Sequence, residues 1–162
     1  MVAKDRRRVL YVWSRNSVGK MSILWTTSEG KIMNDSESLI KSRIRKRLSK
    51  LGIVIWQQAT GHGQTETGSQ ISFGLCRGSS DLIGIRKRDG KFVAIECKTS
   101  EGFRKHGAAL LRAWKKRSSG NPLTTEERRA FDQAMFVCLV LESRGLAGFA
   151  TSEDEAERIV TK

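Results

Sequence analysis

The sequence predicts an α/β domain built on a central mixed sheet flanked by helices. Three observations predict it. Helical periodicity over residues 35–51 leads into a short β-branched run at 53–57. Two strand-like runs, one opening at Asp81 and one spanning Phe92–Cys97, then flank a polar turn containing Asp89-Gly90, a strong hairpin signal. A second long helical pattern, a strand at 146–150 and a last helix complete the order. Helix, strand, hairpin, helix, strand, helix is the order of a sheet covered by helices.

Ile40, Ile44, Leu48 and Leu51 recur at spacings of three and four and form one apolar stripe. Lys41, Arg43, Arg45, Lys46, Arg47 and Lys50 occupy the rest of that helix, and Gly52 stops it. Asn34 and Glu37 have the spacing of a capping box, which assigns Glu37 to the helix start, roughly in line with the inward stripe. Ile53–Gln57 reads as a first strand. A polar loop comes after it, punctuated by Gly61, Gly63, Gly68 and Gly74; it lacks GK[ST], so a nucleotide-binding P-loop is not indicated. His62 in this loop reads as a solvated histidine or, alternatively, a metal ligand.

Residues 102–121 read as a basic insertion carrying a short helix over Ala108–Trp114. Thr124 and Glu127 then form a capping box, starting a helix that runs to about Ser143. Gln133 falls mid-helix and on its own reads as a solvent-facing polar residue. Leu146–Ala150 forms the last strand, and Ser152 with Glu155 caps the final helix.

In the strand Phe92–Cys97, side chains alternate between faces. Phe92, Ala94, Glu96 and Lys98 therefore share one side, while Val93, Ile95 and Cys97 take the other. Pairing through the turn brings Asp81 to the Glu96 end of the hairpin. Two carboxylates and a lysine converge there. Such a group suits a hard divalent cation, because Mg²⁺ prefers carboxylate and carbonyl oxygens. On the residues alone, the set reads also as an edge-strand ion pair beside a turn-capping aspartate.

The chain has 162 residues, one proline, 38% hydrophobic residues and a net charge of +13. That length suits one domain with a sizeable core. Residues 1–50 hold thirteen Lys/Arg against four Asp/Glu, whereas residues 130–162 are net acidic at −3. Charge so placed points to a polyanion, with nucleic acid as first candidate. Cys76, Cys97 and Cys138 are odd in number and form no CxxC pair, so they read as small buried hydrophobes in a reducing compartment. No apolar run reaches the ~18–20 residues of a membrane span, and no signal-peptide core is visible. A cytoplasmic protein without a membrane partner is expected.

Gly78-Ser79-Ser80-Asp81-Leu82-Ile83-Gly84 followed by Ile95-Glu96-Cys97-Lys98 resembles the D…(D/E)xK core of the PD-(D/E)XK nucleases. More narrowly, it resembles the VRR-NUC (virus-type replication-repair nuclease) family. The likeness extends back to Glu37 and Gln58-Ala59-Thr60-Gly61. It extends forward to Asp132–Phe136 and Gly145–Ala150, covering roughly residues 35–160 with a break at 102–130.

The resemblance implies a restriction-endonuclease-like fold and metal-dependent hydrolysis of DNA, leaving a 5′-phosphate and a 3′-hydroxyl. It implies Mg²⁺ or Mn²⁺ held by Asp81, Glu96 and the Cys97 backbone carbonyl, with Glu37 as a further ligand. Lys98 would position the attacking water. Gln133 would steady the lysine or the scissile phosphate, with Glu127 the alternative for that position. Stand-alone relatives imply a phage-type Holliday-junction resolvase, working on branched DNA as a homodimer in the host cytoplasm. Arg43, Lys46, Arg104, Lys105, Arg112, Lys115, Lys116 and Arg117 are the expected DNA contacts. The nuclease-like domain would span 34–162, and residues 1–33 would form a basic arm or hairpin. Two alternatives stay open: a sequence-preferring duplex endonuclease, and a non-catalytic nucleic-acid-binding protein on the same fold.

Overall fold

A computed structural model describes residues 35–162, together with two short strands nearer the N-terminus. Those strands, β1 (Arg8–Leu10) and β2 (Leu24–Thr26), pair antiparallel with Val9 opposite Trp25. They lie in the segment expected as a basic arm or hairpin, residues 1–33, whose other residues lie outside the described ones. Residues 1–34 and 35–162 form two separate units.

The second unit is α/β, with a mixed four-stranded sheet and, among the described residues, four helices. Helix α1 (Glu37–Lys50) is capped by Ser36, whose hydroxyl accepts the Leu39 N–H. The cap is therefore Ser36, not Asn34, because Ser36 has the extended backbone and the short oxygen that the orphan amide needs. Ile40, Ile44 and Leu48 are buried as the periodicity predicts, but Leu51 lies past the last turn and is exposed.

Strand β3 (Ile53–Gln57) comes directly after. The segment expected as a glycine-rich loop instead contains a second hairpin, β4 (Gly61–Gln64) with β5 (Gln70–Phe73). Its strands are too short and polar to show an alternating pattern, which hid them from periodicity. His62 lies in β4; its side chain is outside the described residues. Strands β6 (Leu82–Arg86) and β7 (Lys91–Cys97) form the expected hairpin around a four-residue loop ending at Gly90, φ 71°. Arg86 pairs with Asp89 across that loop, and donates to the Val160 carbonyl and to the Lys162 carbonyl at 3.0 Å.

Helix α2 (Ser100–Ser118) begins two residues after Lys98 and is one continuous 19-residue helix. Residues 102–121 are thus no surface insertion with a short helix. Ala109, Leu110 and Ala113 are buried, and Ala109 and Leu110 pack with Ala130 and Ala134 of α3 (Thr125–Glu142). Small residues there let the two helices approach closely. Strand β8 (Leu146–Ala150) and helix α4 (Glu153–Val160) end the chain, with Ser152 at the α4 cap.

The sheet order is β3-β6-β7-β8, antiparallel except for the parallel β7–β8 pair. One core joins Val93, Ile95 and Cys97 to Ile40, Ile44 and Leu48 of α1 and Val160 of α4. On the other face Ala94 and Ala147 pack on Phe136, Val137 and Val140 of α3. Strand β7 is therefore interior, with a core on each side, and not an edge strand. Among the described residues no helix is long and apolar enough to cross a membrane.

Candidate active site

The β6–β7 register places Leu82 opposite Ile95, so Asp81 and Glu96 sit side by side where the two strands end. Two backbone bonds cross between them. The Asp81 N–H donates to Glu96 Oε2 at 3.2 Å, and the Cys97 N–H donates to Asp81 Oδ2 at 2.9 Å. Each carboxylate is thus held by the backbone of the other's strand. Gly78, at φ 80°, lets the chain approach the Asp132 backbone just before Asp81; a Cβ at Gly78 would collide there.

Glu96 is 2% exposed. Its Oε1 accepts from Lys98 Nζ at 2.6 Å and from Gln133 Nε2. Alternation along β7 turns Glu96 towards α3, where Gln133 reaches it from mid-helix. Gln133 is accordingly buried rather than solvent-facing. Glu127 lies elsewhere: it completes the Thr124 capping box and pairs with Lys116 at 2.8 Å. Burial, and then the charge of Asp81, push the Glu96 carboxyl up to about 7, while Lys98 pulls it back.

Lys41 is a site residue that sequence reasoning missed. Its ammonium lies 2.8 Å from Asp81 Oδ1. Burial lowers the Lys41 pKa, but the hydrogen bond and charge of Asp81 outweigh it, leaving the pKa above its ordinary value. Glu37 stands one helical turn earlier. Its charge acts on Lys41 and on the Cys97 thiol, but Lys41, not Glu37, contacts Asp81. Lys41 follows Ile40 and lies four residues from Glu37, so a helical projection puts it beside the inward stripe; that signal was available.

The Cys97 thiol is buried among Val93 and Ile95 and its pKa is raised, chiefly by burial and then by Asp81 and Glu96. Cys138 is likewise buried, its thiol pushed up to about 11 by burial. Cys76 departs from the expected burial: it is exposed, on the wall of the cleft above the carboxylates.

The carboxylates open into this cleft, which has a volume of about 800 Å³. Its walls come from Gln57–Gly61, from Phe73–Ser79 and from one face of α3, including Gln133. Lys41, Arg77, Arg128 and Arg129 supply its cations. The cations expected to bind DNA lie elsewhere. Lys105 pairs with Glu101, Arg112 with Glu126 and Glu127, and Lys116 with Glu127. Arg117 stacks on Phe131, 4.5 Å from the ring centre. Neither these nor Arg104 and Lys115 line the cleft. Arg43 pairs with Asp35, and with Lys46 it borders a separate hollow against α4. His106 of α2 is buried against Phe149 and held down to about 4, by burial first and then by Lys98 and Arg129. It is neutral at physiological pH and adds nothing to a basic surface. Arg129 lies four residues before Gln133 and so shares its helix face, a signal that could have found it.

No family model, curated protein or solved structure matches this chain. The reading of the site therefore rests on its chemistry. Among the described residues, no three His, Cys, Asp or Glu side chains converge as a metal site. The pair that does converge offers only carboxylate oxygens, with Glu96 raised by burial and then by Asp81, and such a pair fits a hard divalent cation. Lys41 pairs with Oδ1 of Asp81, the oxygen that the Cys97 N–H leaves free.

Proposed function

We propose that this chain is a Mg²⁺- or Mn²⁺-dependent endonuclease that hydrolyses DNA phosphodiester bonds, on a PD-(D/E)XK-like core of the VRR-NUC type. The observation that carries this reading is the cross-bonded Asp81–Glu96 pair, flanked by Lys98 and Gln133, at the floor of an open cleft lined by arginines. Asp81, Glu96 and the Cys97 carbonyl would hold the ion. When bound, such an ion polarises a phosphoryl oxygen and makes a bound water acidic enough to attack near neutral pH.

The chain's own groups do the rest. Lys98, fixed on Glu96, orients the attacking water and offsets negative charge growing on the phosphate. Gln133 holds Glu96 Oε1 and so keeps that carboxylate aimed. Lys41 keeps Asp81 neutralised in the metal-free protein and can move to a phosphate oxygen once Asp81 has another partner. Water adds to phosphorus as the bond to the 3′ oxygen breaks, leaving a 5′-phosphate. Preference for branched DNA, and action as a homodimer, follow from the resemblance, since a two-fold pair of sites suits a two-fold junction.

Incubating the protein with linear, flapped and four-way DNA of shared sequence, with and without Mg²⁺, tests this reading. Metal-dependent scission, absent in Glu96→Gln, is the expected result. Binding without scission under every condition would leave a nucleic-acid-binding protein; equal cutting of linear duplex and junction would leave a duplex endonuclease.

A further inference from the structure

The cleft has a feature that phosphodiester hydrolysis alone does not require. Phe73, at the end of β5, lines it and is 55% exposed. Leu75, also in the cleft wall, is similarly exposed. Exposing an aromatic ring to water forgoes the gain from its burial, roughly 25 cal/mol per Å² of apolar surface. The ring is nevertheless held in place. Phe73 and Gly61 are paired across the β4–β5 ladder, and the ring lies over Gly61 where any Cβ would collide with it. The hairpin base is fixed too: Gly74 packs against the backbone of Ala59 and Thr60, and Gly78 against that of Asp132. Phe73 is thus a positioned aromatic surface, covered on its Gly61 side and open to the cleft.

Its neighbours narrow what could cover it. Arg77, Arg128 and Arg129 line the same cleft, and among the described residues none has an ion-pair partner. On α2, by contrast, Lys105, Arg112 and Lys116 are ion-paired with Glu101, Glu126 and Glu127. Guanidinium groups lining the same cleft as an exposed aromatic ring match a nucleic-acid strand whose phosphates track the cations while a base stacks on the ring. A base inside an intact duplex is already stacked on both faces and cannot do this.

We infer that the cleft takes a strand with an unpaired base, stacked on Phe73 and held through its phosphates by Arg77, Arg128 and Arg129. This deepens the nuclease reading and rests on it, by naming the substrate as DNA that is single-stranded or splayed at the cut. Recognition of branches then comes from the β4–β5 hairpin base and not from α2.

Oligonucleotides carrying 2-aminopurine, in a single-stranded flap or within a blunt duplex, test it in EDTA, where no cleavage occurs. Anisotropy reports binding and 2-aminopurine fluorescence reports stacking. The flap should bind about tenfold tighter than the duplex, with quenching of the probe. Phe73→Leu keeps the cover over Gly61 but removes the aromatic face, and should abolish both preference and quenching. Phe73→Trp should retain them. Thermal melting of the variants checks that the hairpin still folds. Replacing Arg128 and Arg129 by Gln should weaken all binding and flatten its salt dependence. A wild-type flap preference in Phe73→Leu overturns the inference.

Adding Mg²⁺ to the same samples separates it from the reading beneath. Phe73-dependent binding without scission would sink the hydrolytic reading alone. Scission of flap and duplex at equal rates, unchanged in Phe73→Leu, would sink the inference alone.

Discussion

Glu96 has three donors around it and one purpose for each: the Asp81 N–H joins it to its partner carboxylate, Lys98 shares its charge, and Gln133 fixes its orientation. In the proposed mechanism Gln133 touches no reacting atom, so its removal should act through Glu96. Groups that orient a metal ligand typically contribute about 10–100-fold to affinity or activity. Gln133→Leu should therefore weaken Mn²⁺ binding by about that factor in calorimetry, with an unchanged circular dichroism spectrum. Lys41→Met should do the opposite, because it frees Asp81 Oδ1 from its ammonium. Tighter Mn²⁺ binding in Lys41→Met, with slower scission, would match an ammonium that yields its place to the ion and then serves the phosphate; weaker Mn²⁺ binding would contradict it.

At the level of elements, α2 and α3 are joined at one end by a buried carboxylate. Glu127 accepts from Lys116 and from the Thr124 N–H, and Lys116 above all holds its pKa down to about 2. The unfolded chain binds a proton at this group from about pH 4.5 downward, and the folded chain only near pH 2. Its contribution to stability is thus complete above about pH 4.5 and is lost as pH falls towards 2. Glu127→Gln should flatten the acid limb of the stability curve in that window, read by urea melts from about pH 6 to about pH 2, and leave the limb above about pH 5 unchanged. This element was also the least legible in the sequence. Its cations suggested a solvated, DNA-facing insertion, because net charge does not reveal that Glu126 and Glu127 of α3 lie within reach of Arg112 and Lys116. The α1 stripe, β3, the β6–β7 hairpin, the Thr124 box and β8 were legible, since each has strong periodicity or a fixed local signal. The carboxylate pair was legible too, as strand alternation and a hairpin turn suffice to bring Asp81 and Glu96 together. Lys41 and Arg129 were legible only by helical projection from Glu37 and Gln133, whereas Arg77, on a loop, and Arg128 carried no such signal.

On the scale of the whole unit, the site sits where three layers meet, and each layer supplies part of it. Helix α1 brings Lys41, the sheet brings Asp81, Glu96 and Lys98, and α3 brings Gln133. The core beneath α1 must therefore hold its position for Lys41 to reach Asp81. Ile44 is fully buried in that core. Ile44→Ala should cost about 2–5 kcal/mol of stability by denaturant titration. Whatever activity survives at low temperature should show the Lys41→Met pattern, as α1 settles into the space left. A variant that melts early yet binds Mn²⁺ as wild type does would separate core packing from site geometry.

The crossed amide bonds between Asp81 and Glu96 also govern which length changes the hairpin can absorb. An extra residue in the turn Lys87–Gly90 leaves every rung of the ladder where it was, and an insertion scan should find it harmless. One extra residue between Lys91 and Ile95 would invert the parity of the rest of the strand, swinging the acid towards α1 and presenting a neighbouring side chain in its stead. The two acids thus stand in fixed proximity because the rungs are counted, and a frame error of one position should undo the site together with the core beneath α1.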